Sequence, residues 1–130
     1  MFTIEQIKAA HSDVKSGADF PSYVQRINRL GVTGYETYTR DGHSVYAGND
    51  GFRIESAPIY NTLQVSAQSN KSRFQQDLKA NQTGKTDFIT FCNDSAMSGI
   101  EKWVVDTAVM TCTYYDKAGN EVLVEKIPIP

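Results

Sequence analysis

At Gly34 the spacing of apolar residues changes from every third or fourth position to every second, and no motif in the chain constrains its fold as much. Before that point, Ile4, Ile7, His11 and Val14 recur at helical spacing behind a Thr3/Gln6 capping box, predicting a helix over 3–16 stopped by Gly17. Asp19 or Phe20 can cap a second helix with Pro21 in its first turn, and Phe20, Tyr23, Val24, Ile27 and Leu30 line its inner face up to Gly31. After the switch, alternation predicts a hairpin around Asp41-Gly42, a turn at Asn49-Asp50-Gly51 and a strand "FRIESA". Beyond Pro58 it predicts a fourth strand, "TLQVSA", with Leu63, Val65 and Ala67 on one face.

The helical period then returns. Ser69 or Asn70 can cap a third helix running through Phe74 and Leu78 to about Gln82, with Gly84 as its stop. Thr86 or Asp87 caps a fourth, carrying Phe88, Phe91, Cys92 and Ala96 on one face before Gly99. "EKWVVDTAVMTCTYYDKAGNEVLVEKIP" reads as a long hairpin turning at "DKAGN", with Pro128 and Pro130 stopping the last strand or holding it at an edge. The order ααββββααββ has no βαβ alternation, so it predicts an α+β fold, an antiparallel or mixed sheet of about six strands with four helices. The 130 residues suit a single domain, 1–130, since a break near Pro58 or Gly84 would leave pieces too small for a good core. No internal repeat, linker or low-complexity segment is visible in the sequence.

Charge excludes some partners. Thirteen Lys and Arg stand against fifteen Asp and Glu without runs of either sign, so nucleic acid is not an expected partner. The opening "MFTIEQIKAAHSDVK" carries charges where a signal peptide would be apolar, and "WVVDTAVM" is interrupted by Asp106, so neither secretion by the general route nor membrane insertion is expected. Cys92 and Cys112 share no C-x-x-C spacing, and His11 and His43 make no metal motif, which predicts reduced thiols, a cytoplasmic setting and no metal. With no nucleophile elbow or phosphate-cradling loop, no cofactor is expected.

The candidate site residues cluster on the first hairpin, 34–51. A type I′ turn centred on Asp41-Gly42 sets Arg40 opposite His43, Tyr38 opposite Val45 and Glu36 opposite Ala47. One face then carries Glu36, Arg40 and His43, and the other a row of hydroxyls from Tyr35, Thr37, Thr39, Ser44 and Tyr46. The Tyr35, Thr37, Tyr46 face is the expected pocket wall, because tyrosine joins apolar contact to a directed hydroxyl. Glu36 and His43 would be structural or rim groups, unless a one-residue slip at Gly42 exchanges the faces. Lys102, Trp103 and Asp106 follow the Gly99 stop, where a strand leaves a helix and pockets often have their lip. Trp103 reads as core, whereas Asp106, inside an apolar run, must find a partner such as Lys102, Arg40 or a helix N-terminus, or face a cavity. His11 reads as a histidine half buried at a helix contact, and Cys92 as a small hydrophobe that would need to meet His43 to act as a nucleophile.

The runs "GVTGYETYTRDGHSVYAG", "TDFITFCNDSAMSGIEKWVVD" and "MTCTYYDKAGNEVLVEKIPIP" resemble those of the YbcV-like family, a bacterial and prophage domain of unknown function often labelled phage envelope protein. The resemblance spans nearly the whole chain and implies a single-domain protein of bacterial or prophage origin, with no activity to carry over. Two functions fit these readings: a non-enzymatic binding or interaction module, and a small-molecule-binding protein or enzyme using Tyr35, Glu36, Thr37, His43, Tyr46, Lys102 and Asp106. A pocket between hairpin and helices would favour the second, a flat apolar patch the first.

Overall fold

The structure is a computed structural model describing residues 1–130. Six antiparallel strands form one sheet in the order β3-β2-β1-β4-β5-β6, and four helices lie on it. The elements are α1 (Ile4–His11), α2 (Phe20–Leu30), β1 (Gly34–Tyr38), β2 (Ser44–Ala47), β3 (Arg53–Glu55), α3 (Lys71–Gln82), α4 (Phe88–Met97), β4 (Lys102–Asp106), β5 (Thr111–Tyr115) and β6 (Glu121–Lys126). The α+β class, the four helices and the six strands are as the periodicity predicts.

The starts of α1, α3 and α4 follow their caps, whereas at α2 Asp19 is the N-cap residue but its carboxylate accepts from the Lys15 N–H and caps no helix N–H. The Thr3 hydroxyl accepts from the Gln6 N–H at 3.2 Å while the Gln6 side chain accepts from the Thr3 N–H at 2.9 Å, and Asn70 and Asp87 cap α3 and α4 in the same N3-directed way. α1 is shorter than predicted: it ends at His11, and Val14 turns back to donate to the His11 carbonyl. The chain then passes α3 so closely at Gly17 that a Cβ there would lie 2.5 Å from the Asn81 side-chain oxygen.

Two of the strand expectations need correction. "TLQVSA" forms no strand; residues 56–70 run as a strap, held where Ile59 and Leu63 donate to the Asp41 and Arg40 carbonyls and Ser66 and Asn70 to those of Ala96 and Ser98. Of its three expected core residues only Val65 is buried, because the strap is anchored at its ends and pairs with no strand. The expected long C-terminal hairpin is instead a three-stranded meander. Asp106 ends β4, where its carboxylate accepts from the Ala108 and Val109 N–H groups, and Met110 takes a left-handed conformation before β5.

Strand and helix order therefore repeats: two helices and a three-stranded meander, then two helices and a three-stranded meander, joined at the β1–β4 ladder. The sequence shows no repeat because the second unit shares topology with the first and few of its residues. All four helices cover the same face of the sheet, seen in the ring contacts Tyr23–Tyr35, Phe74–Tyr114 and Phe91–Trp103. Val24, Ile27, Val32, Phe74 and Ile100 are completely buried, whereas Ile4, Val14 and Leu30 are half-buried. The other face of the sheet is open.

Candidate functional site

Between the α1–α2 pair and the α3–α4 pair, over the inner face of β1, β2, β4 and β5, lies a cavity of about 290 Å³. That size is at the small end of ligand sites. Tyr35, Thr37, Ser44 and Tyr46 form one side of its floor, Trp103 and Tyr114 the other, and His11, Phe20, Tyr23, Phe88 and Phe91 come down from the helices. Ser56 to Ile59 of the strap close one edge. His11 bridges the two helix pairs, its ring edge-on to Tyr23 at 5.2 Å and to Phe88 at 4.8 Å.

The hairpin's faces are as the alternation predicts, but its register is not. Glu36 lies opposite Val45 and Thr37 opposite Ser44, and Gly42 donates to the Tyr38 carbonyl, so the loop is two residues longer than a type I′ turn at Asp41-Gly42. A slip of two leaves every side chain on its expected face, because strand orientation has a period of two. Tyr35, Thr37 and Tyr46 consequently point into the cavity.

Glu36 and His43 lie on the opposite face, as the alternation predicts, and the cavity lining includes neither Lys102 nor Asp106. Glu36 and Lys102 meet on the open face in an ion pair at 2.9 Å, beside Tyr38 and Tyr115, whose rings the Lys102 ammonium approaches at 5.7 and 5.6 Å. His43 also lies on that side, buried by stacking on Tyr38, with Nδ1 on the Asp41 carboxylate and Nε2 3.5 Å from Glu55. Burial works against ionisation of Asp41, but the His43 backbone N–H and ring outweigh it and hold the carboxyl below its ordinary range. Asp106 is exposed and occupied in its turn, so neither a cavity nor Lys102 satisfies it. Cys92 and Cys112 are free and buried, and burial pushes both thiols up to about 12. Cys92 does not line the cavity, and His43 faces away from it, so the two make no nucleophile pair.

Most polar groups on the cavity wall are already occupied. The Thr37 and Ser44 hydroxyls bond each other at 2.6 Å, the Ser56 hydroxyl serves the Ser44 backbone, and the Asn81 amide donates to the Thr86 and Asp87 carbonyls. The phenols of Tyr23 and Tyr46, which interact with each other, the Tyr35 phenol and the His11 imidazole make up the rest of the polar wall. Tyr23 and Tyr35 are held well above the ordinary tyrosine range, first by desolvation and then by neighbouring tyrosines, Tyr46 among them. Both are neutral donors at any physiological pH. Sequence reasoning missed the helix-borne wall. Its signal was present in Tyr23 and His11, polar-tipped rings set on otherwise apolar helix stripes.

Burial lowers His11 below its ordinary value of about 6.5, so the unfolded chain takes up this proton at a higher pH than the folded one. The stability this confers is fully present above about pH 6.5 and is lost as pH falls toward the folded-state value. Urea unfolding at pH 7.5 and pH 5 should show wild type losing more of its midpoint than His11→Gln. Equal losses would remove burial of His11 as the cause.

A family model described as protein of unknown function (DUF1398) matches residues 8–126. The chain belongs to this family. The matched segment takes in the second half of α1, the other three helices, the whole sheet and every cavity residue from Lys8 to Tyr114. No curated protein matches the chain. No helix is long and apolar enough to cross a membrane, and no group of three or more His, Cys, Asp or Glu side chains is placed to hold a metal ion.

Proposed function

We propose that this member of the family is a non-enzymatic small-molecule-binding protein whose site is the cavity between the two helix pairs and the sheet. The observation that carries this reading is the convergence of tyrosine hydroxyls on an otherwise largely apolar cavity while the neighbouring Thr37 and Ser44 hydroxyls are bonded to one another. Phenols at the cavity wall can donate to an acceptor on a ligand. Cavity walls carry no carboxylate and no thiol, and His11, the one imidazole there, has no acidic partner in the lining, which supports binding over nucleophilic chemistry. The free thiols and the resemblance to the YbcV-like family support a bacterial or prophage-derived protein working in a reducing cytoplasm. The cavity favours a small molecule over a protein partner.

Trp103 is the only tryptophan and lies on the cavity floor, so occupancy has a built-in reporter. A fragment library screened by thermal shift should give hits that also change Trp103 fluorescence. Those hits should be lost in Val14→Trp, which fills the cavity from the 12–17 segment, and kept in His43→Ala, on the opposite face. Hits unaffected by Val14→Trp would place binding elsewhere and overturn the proposal.

A further inference from the structure

The cavity is chemically lopsided, and its two sides belong to the two repeated units. The first unit contributes Tyr23, Tyr35, Tyr46, Thr37 and Ser44; the second contributes Trp103, Phe88, Phe91, Leu78 and Tyr114. Equivalent floor positions show the contrast directly. In the first unit Tyr35 pairs with Tyr46 and Thr37 with Ser44, and all four line the cavity; in the second Trp103 pairs with Tyr114, while Val105 and Cys112, the counterparts of Thr37 and Ser44, pair outside the lining. On the sheet floor, hydroxyls therefore crowd the first unit's side and the Trp103 ring stands on the second's, while Tyr114 adds one hydroxyl to the second side and Ile4, Ile7 and Val14 bring hydrocarbon from the N-terminal stretch of the first.

From this polarity we infer that the ligand is an uncharged aromatic compound carrying an acceptor oxygen, its ring against Trp103, Phe91 and Phe88 and its oxygen toward the hydroxyls of Tyr35, Tyr46 and Tyr23. The inference rests on the cavity being the binding site. Three features select this class. The rings of Phe91 and Phe88 stand 5.5 and 6.4 Å from Trp103 at steep angles, giving a ligand ring edges as well as faces to contact. The Tyr35 and Tyr46 rings lie 5.3 Å apart on adjacent strands, so their hydroxyls approach one region from the same side. Among the lining residues no carboxylate is present to balance a cationic ligand, and the one permanent charge, Lys8, belongs to the exposed rim on α1.

Neutral phenols donate well to a carbonyl or ether oxygen, whereas an ammonium would give up its hydration for phenol lone pairs and ring faces with no carboxylate in the lining to balance its charge. A cavity of about 290 Å³ admits one substituted ring and little more.

Three near-isosteric probes separate the possibilities: acetophenone, ethylbenzene and the 1-phenylethylammonium ion, titrated against Trp103 fluorescence and thermal shift. Acetophenone should bind on the order of 10-fold more tightly than ethylbenzene, the effect of one or two buried hydrogen bonds, and the ammonium should not bind measurably. In the Tyr35→Phe/Tyr46→Phe double variant the rings stay and the hydroxyls go, so acetophenone should fall to the level of ethylbenzene while ethylbenzene is unchanged or improved. Equal binding of acetophenone and ethylbenzene to wild type, or preference for the ammonium, would refute the ligand class and leave the cavity as a binding site. Failure of all three to perturb Trp103 or the melting temperature would overturn the site itself.

Discussion

Replacing Phe74 with alanine should lower stability by about 3–5 kcal/mol, among the largest effects of any single side-chain truncation in the chain. Phe74 is completely buried on α3, with its ring 4.7 Å from Tyr114 of the sheet and 6.0 Å from Phe91 of α4. It joins helix α3 both to its neighbour α4 and to the second meander. Truncation leaves a void with three walls, none of which can close without moving a helix, so the loss of transfer energy and the cavity term both apply. In thermal unfolding the midpoint should drop by roughly 10 °C or more. Val124, 53% exposed on the open face of β6, supplies the control: its alanine variant should fall within about 0.5 kcal/mol of wild type. A Phe74→Ala protein melting within a few degrees of wild type would mean that α3 is not held to the sheet as described.

The second large effect is expected at Gly99, where α4 gives way to β4. Its φ of 82° lies in the left-handed region, and an added Cβ would stand 2.5 Å from the Gln68 carbonyl oxygen and 2.7 Å from the Ser69 Cα. Those atoms are backbone of the strap, which is itself tied to the Ser98 carbonyl through Asn70, so they cannot swing aside as a side-chain tip would. Gly99→Ala should therefore lose about 1–2 kcal/mol from its backbone conformation and a further amount, about 1–3 kcal/mol, from the clash. Gly51 separates the two causes. It has a similar φ of 78° with nothing within 4 Å of the added carbon, so Gly51→Ala should show the conformational cost alone. Urea denaturation of the pair measures the difference, and equal losses would show that the strap yields freely at Gln68.

Local signals carried most of the architecture. Thr3, Asn70 and Asp87 mark helix starts because each needs only its own next three residues to satisfy a backbone N–H. Hairpin faces were legible for a related reason: alternation fixes which side a residue takes, and the two-residue error in register at Asp41-Gly42 left that parity untouched. What failed depended on partners far along the chain. "TLQVSA" has strand composition, yet β3 is only three residues long and the segment is drawn instead to the Asp41 turn and the end of α4. In "WVVDTAVM", Asp106 read as a buried charge awaiting a partner, whereas it is the residue that ends the strand. Tyr35, Thr37 and Tyr46 were legible as a wall, but the space in front of them exists only because two helix pairs meet imperfectly, and nothing in a linear pattern records that. Glu36, Lys102 and Asp106 were drawn to the same site by their chemistry, and Glu36 and Lys102 found each other on the other side of the sheet.

The order β3-β2-β1-β4-β5-β6, with antiparallel β1 and β4 at its centre, amounts to a pseudo-dyad passing through Glu36 and Val104. Residues related by it stand 68 positions apart: Phe20 and Phe88 open corresponding helices, Gly31 and Gly99 end them in the left-handed conformation, and Val32 and Ile100 follow, both wholly buried. The cross-strand pair Tyr35 and Tyr46 maps onto Trp103 and Tyr114 by the same offset. A site on the axis of two identical subunits must offer every group twice, and so suits ligands that are themselves symmetric or bind in two orientations. Carrying both halves on one chain lifts that obligation. Tyr35 and Trp103 occupy one position of the motif and differ, and Ser44 lines the cavity where its counterpart Cys112 does not, which is how a symmetric framework encloses a space with a distinct head and tail.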